Sequence, residues 1–382
     1  MIHLQLRGDL EVSRHEKAII RRVLEDAKSL SGYDVGETIE GLAKKLNVDP
    51  SKIIKLNSNE NFFVPIDFLR ELLKEIVEEV DPRIYPRDEI KELKASFSEY
   101  VSISPDHIII GTGSDQLIDI ACRMFLKYGD EALAISPTFS IYKRCTEIQG
   151  AIYKPIPLKE DFSLNLEAML SAISSKTKMI FLCSPNNPTA NQFSRSEIEY
   201  LAEKFDGLVA VDEAYIDFSR GSIVDLIDEF DNLMVFRTFS KVFGLAGLRI
   251  GCAITNSKLA EVMNEKFQMP YSVSLIAVKA ANKILEHLEV INESIRRLRE
   301  ERERLIERLN RIEGVHAFDS KTNFVLFQVN VPSEAVYSKL LERGIIIRDI
   351  GKVLNYRNCL RVTVAPQPMI NRFLEALKET IE

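Results

Sequence analysis

The chain has 382 residues, of which 46% are hydrophobic and 28% charged, a profile typical of a soluble globular protein with a substantial core and room for two domains. Its formal net charge is -7 and neither sign forms a long tail, which argues against nucleic acid or an anionic membrane as a partner and favours a small substrate. Five scattered cysteines without a CxxC pair, no signal-peptide pattern and no membrane-spanning apolar run predict a cytoplasmic protein without a disulfide framework.

The first thirty or so residues contain one recognisable pattern, the helical stretch "SRHEKAIIRRVLEDAKSL". A helix of this length is too short to build a core of its own. No functional role follows from this stretch.

Between about Ile108 and Thr255, short apolar runs alternate with amphipathic segments. Runs of this kind are typical of buried strands in one largely parallel sheet. They are "HIII", "EALAIS", "AIYKPI", "KMIFLC", "LVAVDEA", "LMVFRTF" and "RIGCAIT". Helical patterns separate several of them, over Asp115 to Lys127 and over Ser194 to Phe205, the second opening with a capping box from Ser194 to Glu197. This alternation predicts an α/β fold.

The C-terminal part has a different pattern. From about Asn292, a long charged helical stretch, "ESIRRLREERERLIERLNRI", leads into the strand-like runs "NFVLFQV", "GIIIRD" and "CLRVTV" and a closing helix after Pro368. Glutamates interleave the arginines of the long helix, which indicates a solvated face with i,i+4 ion pairs and not a nucleic-acid surface. We expect a smaller α+β domain here.

Polar groups follow several predicted strands, at the edge of a doubly wound sheet where ligands collect. After "HIII", the stretch "GTGSDQLID" offers glycines and a helix start suited to a phosphate, although the same residues also fit a plain strand-to-helix turn. It lacks the third glycine of a nucleotide fingerprint, which disfavours a nicotinamide dehydrogenase. After "KMIFLC", Asn187 in "SPNNPTA" is placed to present an amide, or is simply part of a loop.

Charged groups follow the next two strands. Asp212 ends an apolar strand, where an unpaired carboxylate is unfavourable, so it needs a cationic or hydrogen-bonding partner, and Tyr215 comes three residues later. Lys241 stands in the apolar stretch "TFSKVFGLAGLRIG", where burial would lower the pKa of its amine and make it a nucleophile or base, although a snorkelling lysine fits the stretch as well. Beyond it, Arg249 offers a guanidinium that matches a phosphate.

Together these groups comprise an anion cradle, an amide, a carboxylate, a phenol, an amine and a guanidinium. Pyridoxal 5'-phosphate (PLP) uses that whole set, because it has an aldehyde, a ring nitrogen, a phenolic oxygen and a phosphate. No metal is expected, since the histidines lack ligand spacing; they are His3, His15, His107, His287 and His316.

With these residues identified, the chain closely resembles the fold-type I PLP-dependent aminotransferases, and among them the histidinol-phosphate aminotransferase family, from about Tyr33 to the C-terminus. The motifs that carry the resemblance occur in the family's order. They are "LNSNEN", "IYP", "GTGSDQ", "PTFSIY", "SPNNPT", "VDEAYIDF", "RTFSKVFGLAGLRIG", "TNFVLF", "GIIIRD" and "CLRVTV".

The resemblance implies a role for each cofactor-binding position. Lys241 matches the Schiff-base lysine and Asp212 the partner of the pyridine nitrogen. Asn187 and Tyr215 match contacts to the ring oxygen. Phe139 matches the aromatic residue that stacks on the ring, with a core phenylalanine as the alternative. The phosphate cradle corresponds to Ser114, Asp115, Ser240 and Arg249.

Substrate contacts and assembly are implied in the same way. Arg361 matches the arginine that holds the substrate's acidic group, although the sequence alone also allows a structural ion pair there. Arg348 and Tyr33 match further contacts around the substrate phosphate. Tyr85 in "IYPR" matches the tyrosine that reaches the cofactor phosphate of the neighbouring subunit, which implies a homodimer with shared sites.

The resemblance also implies a fold and an activity. We expect an N-terminal segment (1–55) that contributes to the small domain and to dimer contacts, a large PLP-binding domain (56–288) with a mainly parallel seven-stranded sheet flanked by helices, and a small C-terminal α+β domain (289–382). The implied reaction converts L-histidinol phosphate and 2-oxoglutarate into imidazole acetol phosphate and L-glutamate in histidine biosynthesis.

Three departures from the family pattern leave the amino donor open. The chain has "NENFFVPI" where the family usually has "NENPYGPS", and Ala190 and Ala365 where it usually has glycine. An aromatic amino acid aminotransferase and a threonine-phosphate decarboxylase on the same scaffold are therefore alternatives. A noncatalytic PLP-binding regulator is a more remote one, because no DNA-binding domain is attached and the lysine is present.

Overall fold

A computed structural model describes residues 17–28, 30, 32 and 36–381. Contacts divide the chain into two units, Met1–Asp34 and Val35–Glu382. The first unit contains α1 (Ala18–Lys28), which lies inside the predicted helical pattern. The second unit contains the remaining elements.

Among the described residues, the second unit contains twelve α-helices and thirteen strands, together with short 3₁₀ and π helical turns. The helices are α2 (Ile39–Leu46), α3 (Ile66–Glu79), α4 (Asp88–Val101), α5 (Gly113–Phe125), α6 (Ile141–Ile148), α7 (Leu166–Ser171), α8 (Arg195–Lys204), α9 (Ser257–Val262), α10 (Leu275–Leu285), α11 (Leu288–Asn310), α12 (Ser333–Glu342) and α13 (Gln367–Ile381). The strands are β1 (Ile54–Lys55), β2 (Ile108–Gly111), β3 (Glu131–Ser136), β4 (Ile152–Pro157), β5 (Thr177–Cys183), β6 (Leu208–Asp212), β7 (Leu233–Thr238), β8 (Gly251–Thr255), β9 (Val315–Ala317), β10 (Phe324–Val329), β11 (Ile345–Ile346), β12 (Arg348–Val353) and β13 (Tyr356–Thr363).

The large sheet has seven strands in the order β2-β8-β7-β6-β5-β3-β4. Strands β3 to β7 pair in parallel, whereas β8 runs antiparallel to both of its neighbours. Every residue of β6 and β7 is buried, as expected for strands covered by helices on both faces. The predicted mainly parallel seven-stranded α/β sheet is confirmed.

The C-terminal part contains a four-stranded antiparallel sheet in the order β12-β13-β10-β9. The run "GIIIRD", expected to be one strand, is two, because its residues pair with different partners. Ile345 and Ile346 pair in parallel with β1, while Arg348 onward pairs with β13. Through β1, residues near position 55 join the C-terminal part of the fold. The domain boundaries at 55/56 and 288/289 stay predictions.

Side-chain caps mark the start of α2, α7, α8, α9 and α10. The capping box of α8 is confirmed, with the Ser194 hydroxyl and the Glu197 carboxylate each bonding the other's backbone N–H. The long charged helix begins at Leu288, four residues before the expected start. The closing helix begins at Gln367 and not after Pro368, because a proline is tolerated in a first helical turn, where its missing N–H would have no partner. Among the described residues, no helix is both long and apolar enough to cross a bilayer.

Candidate active site

The Lys241 amine lies at the C-terminal edge of the large sheet, in the loop that follows β7. Its Nζ donates to the Ser58 carbonyl oxygen over 3.0 Å and lies 5.8 Å from the centre of the Tyr215 ring. Desolvation lowers the pKa of Lys241 to about 8, although the negative charge of Glu60 opposes the shift. Near pH 8 a large fraction of this amine is neutral, which is the form that acts as nucleophile or base.

An anion cradle forms where α5 begins. The helix starts at Gly113, so its first backbone N–H groups have no acceptor within the helix and favour an anion. The Arg249 guanidinium closes the cradle by donating to Ser240 Oγ at 3.3 Å and to the Asp115 carboxylate at 3.1 Å. Ser114 is buried in the same helical turn. These are the four residues that the sequence assigns to a phosphate.

Two glycines let the elements of the cradle approach each other. Gly113 has a φ of +76°, and a Cβ there would lie 2.7 Å from Arg249 Nη2. A Cβ on Gly251 would lie 2.5 Å from the backbone nitrogen of Ser114. Any larger residue at either position would therefore displace groups that line the cradle.

Asp212 is buried at the end of β6, and both of its carboxylate oxygens accept hydrogen bonds. Oδ1 accepts from the Ala214 backbone N–H at 3.0 Å and Oδ2 from the Tyr142 hydroxyl at 2.7 Å. Burial nevertheless raises the pKa of Asp212 to about 6, and the positive charge of Lys241 opposes that rise. The expectation that this carboxylate has hydrogen-bonding partners is confirmed.

Asn187 contacts Arg361 directly, whereas Tyr215 packs against Phe324, a ring that Arg361 also contacts. The Tyr215 hydroxyl accepts from Asn59 Nδ2 at 3.0 Å, and burial raises the pKa of the phenol, so it keeps its proton. The Asn187 side-chain oxygen accepts from the Arg361 guanidinium. The rings of Tyr215 and Phe324 pack edge to face at 5.2 Å, and Arg361 lies 5.1 Å above the Phe324 ring.

Arg361 and Arg348 lie directly opposite each other on β13 and β12. Cross-strand partners share a face of the sheet, and two like charges in that position repel. Arg361 also donates to the Asn57 carbonyl oxygen at 2.7 Å, which fixes its guanidinium. The pair therefore suits a strongly anionic ligand, such as a phosphate.

These residues form one electrostatic cluster. The charges of Asp115, Arg249 and Arg361 all influence the pKa of Lys241, and the charge of Lys241 influences the pKa of Asp212. Phe139 follows β3 and packs edge-on against Tyr142 at 5.7 Å.

Two predicted site residues remain, Tyr85 and Tyr33. Tyr85 is 69% exposed and its ring stacks on Tyr271 at 4.4 Å. Tyr33 lies outside the described residues.

Several residues that contact the cluster are not singled out by the sequence. They include Asn57, Ser58, Asn59 and Tyr142. Ser58 and Asn59 belong to the motif "LNSNEN" and Tyr142 ends the motif "PTFSIY", so the signal is present at the level of motifs. Nothing in the sequence itself pairs Tyr142 with a carboxylate 70 positions away.

The residue set fits PLP on three observations. A buried carboxylate with an elevated pKa favours a cationic partner such as a protonated pyridine nitrogen. At the start of α5, the first backbone N–H groups and the Arg249 guanidinium supply donors, and a Cβ on Gly113 would lie 2.7 Å from Arg249 Nη2. A lysine amine with a lowered pKa lies within the same electrostatic cluster.

Comparison with known proteins identifies aminotransferases as relatives of this chain. Residues 51–377 match the family model of aminotransferase class I and II. The chain is 37% identical to a histidinol-phosphate aminotransferase of Thermoanaerobacter sp. (strain X514), over 86% of this chain and 93% of that protein. A solved histidinol-phosphate aminotransferase from Clostridium acetobutylicum is 26% identical, with a TM-score of 0.77 over 86% of this chain and 98% of the other.

A second solved structure extends the similarity in fold. The histidinol-phosphate aminotransferase from Sinorhizobium meliloti, in complex with pyridoxal-5'-phosphate, superposes with a TM-score of 0.84 at 24% identity, over 93% of this chain and 96% of the other. The match of the family model over most of the chain and the identity to curated relatives together establish that the chain belongs to the aminotransferase class I and II family.

Proposed function

We propose that this aminotransferase uses PLP and transfers the amino group of L-histidinol phosphate to 2-oxoglutarate, giving imidazole acetol phosphate and L-glutamate in histidine biosynthesis. The observation that carries the proposal is the Lys241 amine, with a pKa of about 8, in electrostatic contact with Asp212, Arg249 and Arg361. Relatives that carry the name histidinol-phosphate aminotransferase support the choice of donor. The five free cysteines, all buried, support a reducing compartment such as the cytoplasm.

In this proposal each part of the cluster holds one part of the cofactor. Lys241 would bind the aldehyde and Asp212 would pair with the ring nitrogen, while Asn187 and Tyr215 would contact the ring oxygen. Phe139 would lie against the ring. The phosphate is held by the cradle of Ser114, Asp115, Ser240 and Arg249, in which the carboxylate of Asp115 fixes Arg249 and its helical turn contributes backbone donors. When bound, PLP supplies an aldehyde that captures amines and a ring that accepts an electron pair.

The side chains then move and hold protons. Lys241, once free, takes the proton from the substrate carbon that bears nitrogen, and its lowered pKa makes the neutral amine available for this step. The Asp212 carboxylate holds the proton on the ring nitrogen. Tyr215, whose raised pKa keeps its phenol protonated, remains a hydrogen-bond donor throughout. Lys241 then returns the proton, and water releases the keto product while the amino group is retained. A 2-oxo acid takes up that amino group when the same residues act in reverse.

The arginines support a substrate with a phosphate. A phosphate dianion at Arg361 and Arg348 compensates two positive charges that face each other across β12 and β13. A planar guanidinium fixed by the Asn57 carbonyl and the Asn187 amide is well suited to orient such a group. We assign a further substrate contact to Tyr33 on the family resemblance alone.

A panel of amino donors tests the substrate. With 2-oxoglutarate as acceptor, kcat/KM should be highest for histidinol phosphate and at least about a hundredfold lower for histidinol, which lacks the phosphate. Higher kcat/KM for phenylalanine would overturn the donor assignment in favour of an aromatic aminotransferase, and release of CO₂ from threonine phosphate would overturn it in favour of a decarboxylase.

A lysine substitution tests the cofactor assignment. Lys241→Ala should lose at least about a thousandfold in turnover and should no longer carry PLP on the peptide around position 241 after borohydride reduction. Lys258→Ala, at an exposed position on α9, is the matched control and should keep both properties. Normal turnover in the Lys241→Ala protein would overturn the proposal.

We further propose a homodimer in which Tyr85 reaches the cofactor phosphate of the partner. The exposed ring of Tyr85 and its exposed neighbour Ile84 support an intersubunit role. Mixing inactive Lys241→Ala and Tyr85→Ala proteins under exchange tests it, since one site of each mixed dimer would then have an intact lysine and an intact tyrosine. Shared sites predict recovery of about one quarter of the parent activity. No recovery in verified mixed dimers would contradict it.

A further inference from the structure

Tyr142 is buried beside the carboxylate that faces the proposed cofactor ring, yet nothing in the proposed mechanism uses it. Its hydroxyl donates to Asp212 Oδ2 at 2.7 Å, and the residue is 1% exposed. Burial raises the pKa of the Tyr142 phenol well above its ordinary value, so the proton stays on the tyrosine and the carboxylate is the acceptor.

The position of the Tyr142 ring is fixed by its neighbours. The ring stacks in parallel on Phe181, with centroids 4.9 Å apart and an angle of 6° between the planes. Phe139 packs edge-on against it. In α6, the Thr146 hydroxyl donates to the Tyr142 carbonyl oxygen at 2.8 Å. A phenol held this rigidly presents its O–H to Asp212 without further loss of side-chain entropy.

We propose that Tyr142 is a positioning residue for the cofactor, whose hydroxyl holds the Asp212 carboxylate ionised and oriented for the ring nitrogen of PLP. This inference rests on the proposed function. A charge-assisted hydrogen bond stabilises the carboxylate form over the neutral acid. The backbone N–H of Ala214 fixes the other oxygen, and each oxygen keeps a second lone pair for a further donor.

Other charges also act on Asp212, and they differ in sign. Asp115 favours the neutral acid, whereas Lys241 favours the carboxylate. The titratable groups that interact with Asp212 are Tyr142, Asp115, Lys241, Cys183 and Tyr215. Of these, Tyr142 is the one that hydrogen-bonds the carboxylate directly, and its hydrogen bond is the largest influence favouring ionisation.

The test is PLP binding by the Tyr142→Phe protein between about pH 5.5 and pH 8.5, a range that spans the titration of the carboxyl. Phenylalanine keeps the stacked ring and removes only the donor. Without that donor the pKa of Asp212 rises by roughly one pH unit, so the carboxylate is protonated, and binding weakened, at a higher pH than in the parent. The increase in Kd for PLP should be about fivefold larger at about pH 6 than at about pH 8.5.

Two controls separate this role from a structural one. Tyr100→Phe removes a half-buried phenol that also donates to a carboxylate, Asp217, at 2.7 Å, and should leave the pH profile unchanged. In the Asp212→Asn background, Tyr142→Phe should have no pH-dependent effect. Should the Tyr142→Phe protein fail to fold, 3-fluorotyrosine at position 142, a more acidic donor, should shift the acid limit of binding to lower pH.

The possible outcomes distinguish the two proposals. If the parent protein takes up no PLP, both the proposed function and this inference fail. If the parent binds PLP and the Tyr142→Phe protein has the same Kd profile, only the inference is overturned. A uniform loss of affinity at every pH, persisting in the Asp212→Asn background, also overturns it.

Discussion

Replacing Asp212 with asparagine should make the cofactor-free protein more stable while weakening its function. Burial raises the pKa of this carboxyl from 3.8 to about 6, and the residue is 4% exposed. A difference of this size corresponds to about 3 kcal/mol of unfavourable free energy when the group is ionised in the folded state. Asparagine removes the charge and keeps both contacts, because its oxygen accepts from Ala214 and its amide donates to the Tyr142 oxygen.

The sign of the effect depends on pH. Below pH 3.8 the carboxyl is protonated in both the folded and the unfolded protein, so the parent and the variant differ least there. Between pH 3.8 and about 6 the unfolded chain releases its proton first, and the parent loses stability relative to the variant. Above about pH 6 the Asp212→Asn protein should be more stable by up to about 3 kcal/mol.

Urea unfolding of both cofactor-free proteins at about pH 4 and about pH 8 measures this difference. Asp225→Asn is a suitable control, because the hydrogen bond from Arg195 lowers the pKa of Asp225. Removing the Asp225 carboxylate should therefore decrease stability at the higher pH, which is the opposite sign. Two results would contradict this prediction. One is an Asp212→Asn protein that is no more stable than the parent at the higher pH. The other is a gain in the free energy of unfolding that has the same size at both pH values. PLP affinity should fall in the same variant.

Three further substitutions address packing, substrate binding and helix capping. Gly251→Ala should lower the free energy of unfolding by at least about 2 kcal/mol and weaken phosphate binding in calorimetric titrations, because its Cβ would lie 2.5 Å from the Ser114 backbone nitrogen. Arg361→Lys should raise KM for histidinol phosphate at least about tenfold with a smaller change in kcat, since an ammonium cannot reproduce the guanidinium fork; an unchanged KM would argue against a substrate contact. Ser194→Ala should reduce stability by about 1 kcal/mol in urea without affecting kcat, through loss of the confirmed capping box.

The sheet is predictable from the sequence because its strands are continuous apolar runs. The run "EALAIS" has the same bounds as β3, whereas the run "LVAVDEA" extends two residues past the end of β6. Such runs can be recognised in the sequence because a strand buried on both faces excludes polar residues along most of its length. The ends of these runs are therefore enough to predict that Asp212, Asn187 and Lys241 lie at one edge of the sheet.

What could not be predicted depends on contacts between distant parts of the chain. No local pattern indicates that Tyr142 reaches Asp212, or that Arg348 faces Arg361 across two strands. The division of "GIIIRD" into two strands likewise depends on the choice of pairing partner, β1 for the first half and β13 for the second. Register and side-chain pairing are tertiary properties, which a single sequence does not encode locally.

The departures from the family glycines illustrate the same limit. From the sequence, Ala190 and Ala365 bear on the choice of amino donor. Both side chains are fully buried in the structure, where they pack in the main core. Ala190 also has a φ of +62°, a left-handed conformation that favours glycine. Its methyl group is accommodated at the expense of backbone strain, so this departure has a structural consequence that the motif alone does not reveal.

The charges around Lys241 predict that one ligand would stabilise this site as a whole. Above about pH 6 an ionised Asp212 destabilises the cofactor-free fold, and below about pH 8 a protonated Lys241 does so as well, because burial shifts both pKa values towards neutrality. Between these limits both groups are charged and desolvated. A ligand that neutralises the lysine and pairs with the carboxylate removes two unfavourable contributions at once. Lys241 and Asp212, to which we assign the reaction, are therefore also the residues expected to destabilise the cofactor-free form near neutral pH.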